Sequence, residues 1–321
     1  MSSAVIRLHS LGDIVLAEPA ARYLAGSGEV HFAVREAYAP LVRRMGQGVY
    51  PLVLPQSAGF MKLRSLLKGV SPALILDLQA NLTTLAATWP GRVRRFHLDR
   101  RRRRGILRGD GGRMPYRAEA FLRLAGGEGS AMPHLERRSK PDGSEPVAGL
   151  VAGGRWVSKS IPAGVLAEVA RQLVDLHGMR VVVLGSSQDA PAAEEVVRRS
   201  LRPEVCSVAG EGDVERLIRR IEGLSLLVSP DSGPAHLAAA LGVPLVVVFN
   251  STHPSLGFWP PEMENAVLSA PLDCRPCHRH GGAGCPSGSW ECRLGLMPGD
   301  IVAAAVRRLE PASSARKAGE D

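Results

Sequence analysis

Three short stretches hold residue types that could move a proton or bind a phosphate. Arg7-Leu-His-Ser-Leu-Gly-Asp13 sets a carboxylate just beyond an apolar run, where Asp13 could take a proton from an incoming hydroxyl. The plainer alternative is that Asp13 caps a helix beginning at Ile14. Gly153-Gly-Arg-Trp-Val-Ser-Lys-Ser-Ile-Pro162 joins two permissive glycines to donors on Arg155, Ser158 and Lys159, a set suited to a diphosphate. It lacks the Gly-Lys-Ser/Thr ending of a Walker loop, and a solvated basic loop is its alternative. The third stretch, Leu224 to Phe249, reads as apolar strand, tight turn, short helix and apolar strand. Asp231 and Ser232 suit a helix cap, Gly233 relaxes the backbone, and Pro234 suits a first helical turn that also carries His236. Such a helix start aims free N–H groups at a phosphate, against the competing account of a merely well-capped helix.

These side chains need elements to hold them. Apolar runs predict strands at Ala4–Leu8, Val30–Val34, Tyr50–Leu54, Ala73–Leu78, Val147–Val151, Met179–Leu184, Leu224–Val228 and Leu245–Phe249. Helical spacing is read at Ile14–Leu24, Phe60–Leu67, Ala163–His177, Ala190–Arg199 and Val214–Ile221. Strands alternating with helices predict parallel sheets covered on both faces: two Rossmann-like halves, with ligands in the cleft outside the carboxyl ends of the strands. The polar stretch Arg137–Glu145 is the expected join. It gives domains at 1–145 and 146–311 and a frayed tail at 312–321.

Composition narrows the function. The chain has 321 residues, 45% hydrophobic and 22% charged, which excludes wholesale disorder. Forty Lys and Arg against 31 Asp and Glu leave a net charge of +9, which implies an anionic partner. No apolar stretch approaches the roughly 18–20 residues of a bilayer span. The longest, Leu237–Phe249, is broken by Gly242 and Pro244. Met1–Asp13 has no basic start followed by an apolar core, so no signal peptide is expected and the cytoplasm is the expected compartment. Aromatic residues at 4% count against broad base-stacking surfaces.

Taken in order, Arg7–Pro19, Asp77-Leu-Gln-Ala-Asn81, the Lys159 loop, Asp231–Phe249 and the Thr252 loop resemble the bacterial lipopolysaccharide heptosyltransferases, glycosyltransferase family 9. The resemblance runs over most of the chain, and Asp-Ser-Gly-x-x-His at 231–236 is its most specific element. It implies an α/β chain of GT-B fold, with an N-terminal acceptor domain and a C-terminal nucleotide-sugar donor domain. The implied reaction is an inverting transfer of heptose from ADP-heptose to the inner core of lipopolysaccharide, requiring no metal or other cofactor. Asp13 falls at the general base and Lys159 at the donor's diphosphate. Ser158, Asp231, Ser232, Gly233 and His236 fall at the donor's phosphates and sugar, and Gly185, Ser186 and Asp189 beside the nucleoside. The implied partners are the nucleotide-sugar donor and a lipopolysaccharide core or lipid A acceptor at the inner face of the inner membrane, with no nucleic acid. Some positions depart from the family pattern. Ser232 replaces the commoner threonine, the aromatic residue often found soon after the loop lysine is missing, and Asn250-Ser-Thr252 stands where Gly-Pro-Thr is common. These changes leave open which base and sugar are used. Rival readings are the same fold with another nucleotide sugar and acceptor, or a non-catalytic nucleotide- or nucleic-acid-binding protein.

Two features remain. Arg100–Arg104 is a run of five arginines, read either as a solvated loop or, through Arg101, Arg102, Arg103 and Arg104, as a contact for an acidic acceptor or anionic lipid headgroups. Cys274, Cys277, Cys285 and Cys292 follow C-x2-C-x7-C-x6-C, and Cys206 stands alone. The first pair has zinc spacing and the later gaps do not, so structural zinc is weighed and not favoured over unligated thiols or a conditional disulfide.

Overall fold

A computed structural model describes residues 2–89, 91–138 and 145–309. The first sheet holds β1 (Ser3–Ile6), β2 (Val30–Arg35), β3 (Val49–Leu54), β4 (Leu74–Asp77) and β5 (Val93–Arg95). Its order is β3-β2-β1-β4-β5, every pair parallel. The second holds β6 (Val147–Val151), β7 (Arg180–Leu184), β8 (Val205–Ser207), β9 (Leu226–Pro230), β10 (Leu245–Val248) and β11 (Val267–Leu268). Its order is β11-β10-β9-β6-β7-β8, again all parallel. Both sheets are doubly wound, so each has a point where strand order reverses: between β1 and β4, and between β6 and β9. A crevice opens there at the carboxyl ends.

Helices cover both faces. The first half carries α1 (Leu11–Leu16), α2 (Glu18–Ala25), α3 (Ala39–Val42), α4 (Phe60–Val70), α5 (Leu82–Ala87), α6 (Arg100–Arg108) and α7 (Arg117–Ala125). The second carries α8 (Ala163–His177), α9 (Ala190–Ser200), α10 (Val214–Glu222), α11 (Gly233–Ala240), α12 (Glu291–Leu294) and α13 (Pro298–Leu309).

Where the sequence reading gives one helix over Ile14–Leu24, the chain forms two. Pro19 has no N–H to donate and its ring obstructs the preceding turn, so the helix ends at Leu16 and restarts at Glu18. The arginine run is likewise a helix and not a loop: Asp99 accepts a hydrogen bond from the Arg102 N–H at 2.8 Å and starts α6, and Gly109 in the left-handed region ends it. The short strands β5, β8 and β11 lie at sheet edges and carry too few residues for a periodic signal. The expected join through Pro141–Ser144 and the tail at 312–321 lie outside the described residues.

One apolar cluster runs through both halves, from Val5, Phe32 and Phe121 to Ala235, Leu237 and Trp259. Full burial of each such large side chain is worth about 1.5–3 kcal/mol. The halves are also joined by charge. Arg44 Nη1, beside α3, donates to Glu222 Oε2 at the end of α10 at 3.0 Å and to the Glu136 carbonyl at 3.0 Å. Sequence reading missed this pair, because 178 residues separate its members.

Candidate active site

The two reversal points face each other, and three cavities lie in a row between them. The largest, about 1060 Å³, is lined from the first half by Ser10, Gly12 and Asp13 and from the second by Gly153, Gly154, Lys159, Ser186, Asp189 and Pro230–Pro234. A middle cavity of about 320 Å³ is lined by Asp13, Lys159, Asp231, Ser232, Gly233 and His236. The third, about 650 Å³, is lined by Arg7, Arg95, Arg100, Arg103, Arg104, Arg117 and Arg279. Asp13 belongs to the first two cavities, and Arg7 and Arg117 connect it to the third.

Asp13 does not cap a helix that begins at Ile14. The helix starts at Leu11, Asp13 sits in its first turn, and Arg7 Nη2 donates to its Oδ2 at 2.5 Å. Burial opposes ionisation of this carboxyl. The Arg7 and Arg117 charges, with hydrogen bonds from Ser10 and Arg7, outweigh it and hold the group below the usual carboxylate range. Arg7 is itself aimed by the Leu78 carbonyl, which accepts from its Nη1 at 2.8 Å. The Arg117 guanidinium lies 4.9 Å from the Phe96 ring and 4.8 Å from the Phe258 ring. Burial brings it down to about 10, still cationic at neutral pH. Ser10 opens the α1 turn with φ +78°, a strained conformation for a residue with a side chain.

Across the cleft, Lys159 Nζ pairs with Asp231 Oδ2 at 2.8 Å, and Thr252 Oγ1 donates to the same oxygen at 2.8 Å. Burial opposes the Asp231 charge, but Lys159, His236 and Thr252 together hold its carboxyl low. His236 shifts downward mainly through burial, against the pull of the Asp231 and Asp13 charges. The expected cap on the following helix does not form. Ser232 occupies the cap position without capping, its Oγ 2.9 Å from Ser229 Oγ, while Asp231 is engaged by Lys159 and Thr252. The α11 start, beginning at Gly233, therefore carries no side-chain cap and borders the cavity.

The family departures at 250–252 acquire a physical role. Asn250 Nδ2 donates to the Lys159 and Ser160 carbonyls at 3.0 Å each, and Ser251 Oγ lies 2.8 Å from Ser158 Oγ. With Thr252 on Asp231, this buried trio braces both members of the ion pair.

Ser158, expected at the donor, is placed otherwise. Its side chain is buried, bonded to Ser251 and accepting from the Gly282 N–H at 2.8 Å, so it anchors the lysine loop instead of lining the cavity. Asp189 Oδ2 accepts from the Ser186 N–H and Oγ, and its Oδ1 accepts from the Gly154 N–H at 3.1 Å. It thereby ties two cleft loops together. Gly153 has φ +121°, and a Cβ there would collide with Asp189. Of the arginine run, Arg103 and Arg104 reach the third cavity with Arg100, one helical turn of α6, whereas Arg101 and Arg102 do not line it. Sequence reading gave Arg7 no role although it heads the Asp13 stretch, and it missed Arg117, Arg279 and His280, which reach the site only through tertiary packing. It also missed the Gly210–Val214 wall of the large cavity.

All five cysteines are free thiols, and burial pushes Cys277 up to about 11. Among the described residues no group of three or more His, Cys, Asp or Glu side chains is arranged to hold a metal ion. The cysteine-bearing loop contributes differently: between Cys277 and Cys285 it sends Arg279 and His280 into the cavities.

Residues 128–283 match the family described as glycosyltransferase family 9 (heptosyltransferase). Lipopolysaccharide heptosyltransferase 2 of Escherichia coli is 35% identical over 121 residues, 36% of this chain and 34% of that protein. The alignments with the first curated relatives span 34% to 41% of those proteins' own lengths. Among solved structures, the E. coli ADP-heptose lps heptosyltransferase II superposes with a TM-score of 0.72 at 21% identity, covering 96% of this chain and 98% of that one. A glycosyl transferase family 9 structure from Veillonella parvula gives 0.75 at 16% identity, covering 96% and 97%. These likenesses concern the fold, which the two facing parallel sheets mark as GT-B. The chain thus has a GT-B fold whose residues 128–283 match the glycosyltransferase family 9 (heptosyltransferase) model.

Proposed function

We propose that this chain transfers a heptose from ADP-heptose to the inner core of lipopolysaccharide, with inversion at the anomeric carbon. The observation that carries the reading is the position of Asp13, an ionised carboxylate at the boundary between a cleft the size of a nucleotide sugar and an arginine-lined pocket. The donor occupies the large cavity, its nucleoside beside Gly185, Ser186 and the Gly210–Val214 wall. The second half is thus the donor side, and residues 1–145 form the acceptor side.

In the reaction Asp13 takes the proton of the acceptor hydroxyl as that oxygen attacks the anomeric carbon from the face opposite the diphosphate. The bond from that carbon to the β-phosphate oxygen breaks and ADP departs. Lys159 has three N–H donors and Asp231 uses one, leaving two for the phosphate. The uncapped α11 start supplies further donors and the positive end of a helix dipole. Together they oppose the charge developing on the leaving group, and stabilising such charge is where many enzymes gain most of their rate. Because this cationic set does the work a divalent ion would otherwise do, turnover is expected to survive chelation. The acceptor approaches from the arginine pocket, whose charge suits acidic sugars and phosphates, at the inner face of the membrane.

The test is ADP release from ADP-heptose with and without a truncated core acceptor, in buffer containing a chelator. Acceptor-dependent release supports the reading. Release only with a different nucleotide sugar would move the assignment to another transferase of this fold, and folded protein inert with every nucleotide sugar would replace it with a non-catalytic binder.

A further inference from the structure

The turn that leaves β1 and leads to Asp13 is held by a side chain of the neighbouring strand. β1 and β4 pair in parallel, and the Leu78 N–H donates to the Ile6 carbonyl at 3.1 Å. Beyond that bond the chain after β4 turns away. Asp77 Oδ1 accepts from the Gln79 N–H at 3.1 Å and the Ala80 N–H at 2.9 Å, and Ala80 takes φ +46°. The N–H of buried Leu8 on the β1 side is then met by a side chain, Gln79 Oε1 at 3.2 Å. A buried N–H left without a partner is costly, so this bond fixes where the backbone leaves the sheet.

The same amide reaches one residue further, with Gln79 Nε2 lying 3.0 Å from His9 Nε2. The directions of these bonds follow from the groups themselves. A backbone N–H only donates, so the Gln79 oxygen faces Leu8 and its NH2 group faces His9. His9 Nε2 is therefore the acceptor, which requires a neutral ring with its proton on Nδ1. A proton on Nε2 would set two donors against each other. His9 precedes Ser10, whose φ of +78° persists only where its surroundings over-determine it. The Ser10 carbonyl accepts from the Ile14 N–H at 3.0 Å, closing the turn that carries Asp13. Beside Gln79, the Leu78 carbonyl holds Arg7, which donates to Asp13. Residues 78 and 79 thus grip the β1 exit twice: Arg7 through a carbonyl, Leu8 and His9 through one amide.

We infer that Gln79 is a positioning residue for Asp13, holding the Leu8–Ser10 turn by a bridge in which neutral His9 is the acceptor. The effect on turnover rests on the transfer proposed above. The bridge does not, and it can be read without substrate.

Nitrogen-15 NMR of the full chain without nucleotide reads the bridge, the His9 ring signals being assigned by their loss in His9→Phe. The wild type is expected to show a neutral imidazole with its proton on Nδ1, the reverse of histidine in water. Gln79→Glu, whose carboxylate only accepts, should move that proton to Nε2. Steady-state rates read the consequence. Gln79→Met matches the side chain in length without either bond, and should lower kcat about ten- to a hundredfold with donor KM nearly unchanged. Gln79→Glu keeps an oxygen for Leu8 and should hold kcat within about threefold of wild type. His9→Phe leaves the Leu8 bond in place, and should show part of the Gln79→Met loss at an unchanged melting temperature. A wild-type proton on Nε2, or one tautomer in both wild type and Gln79→Glu, would overturn the bridge. Unchanged kcat in Gln79→Met and His9→Phe, or a loss in Gln79→Glu as large as in Gln79→Met, would overturn the positioning role. An inert wild type that shows the Nδ1 proton would count against the proposed transfer and leave the bridge standing.

Discussion

Gly12 on α1 and His236 on α11 meet so closely that a Cβ at position 12 would lie 2.7 Å from the imidazole Cδ2. The fit is reciprocal, since a Cβ at Gly233 would lie 2.8 Å from Leu11 Cδ2. Two helices from opposite halves thus interlock through their glycines, and that contact sets the distance between Asp13 and the α11 start. His236 is buried. Gly12→Ala is expected to cost about 1–3 kcal/mol of stability by overpacking and to slow transfer, because α1 carries the carboxylate. Urea unfolding together with steady-state rates checks it; unchanged values for both would mean the halves are not held by this contact.

Asp13→Asn should lower kcat by about 10²- to 10⁴-fold with donor affinity nearly intact, because the amide cannot take the acceptor's proton. Lys159→Ala should instead weaken donor binding as well as slow the reaction. Titration calorimetry with the nucleotide alongside the rates separates the two roles, and a collapse of donor binding in Asp13→Asn would make that residue structural.

The ordinary aspartate value is 3.8 and Asp13 lies below it, so its protonation should leave kcat/KM level as pH falls toward 4. Removing one of the charges that hold it there, as in Arg117→Gln, should move the acid limb upward. A profile of the same shape in wild type and variant would show that Arg117 does not act on the base.

Arg103 is 8% exposed and no carboxylate pairs with it among the described residues; burial and the charges of Arg279 and Arg100 pull its guanidinium downward. A buried, uncompensated cation facing a cavity is suited to a bound anion. Arg103→Ala and Arg279→Ala should each raise KM for a phosphorylated or carboxylated acceptor by about tenfold, the loss of one charge-assisted hydrogen bond. Arg101→Ala and Arg102→Ala should leave it unchanged. Equal effects at all four positions would point to a diffuse field and not to a pocket.

Stability should fall between pH 7 and pH 5. His236 and His253 both lie below the ordinary imidazole value of 6.5, chiefly through burial. As pH drops through 6.5 the unfolded chain takes up protons that the folded chain refuses, and the balance shifts toward unfolding. Asp13 and Asp231 are also shifted down, but most of the stability they contribute is lost only as pH falls through 3.8 toward their lower folded values. Urea midpoints at pH 8, 6.5 and 5 read the slope, and His253→Asn should make it shallower. Flat midpoints across that range would refute the histidine account.

The pattern of apolar runs was enough to place both sheets and most of their helices, because burial on two faces makes a parallel strand continuously apolar whatever the rest of the chain does. Asp13, Lys159 and the Asp231–His236 turn could be singled out for a related reason: a strand exit followed by a helix start places its residues at the cleft by local geometry alone. Tertiary structure decided the rest. Whether Asp231 capped a helix or held a lysine depended on Thr252 and Lys159, 21 and 72 positions away, and no local preference encodes that choice. The arginine run looked solvated because neighbouring charges repel, yet one turn of α6 turned Arg103 inward beside Arg117 and an arginine from the cysteine loop. Charge in a sequence fixes how much anion a chain can attract. Only the packing of distant elements fixes where those charges converge.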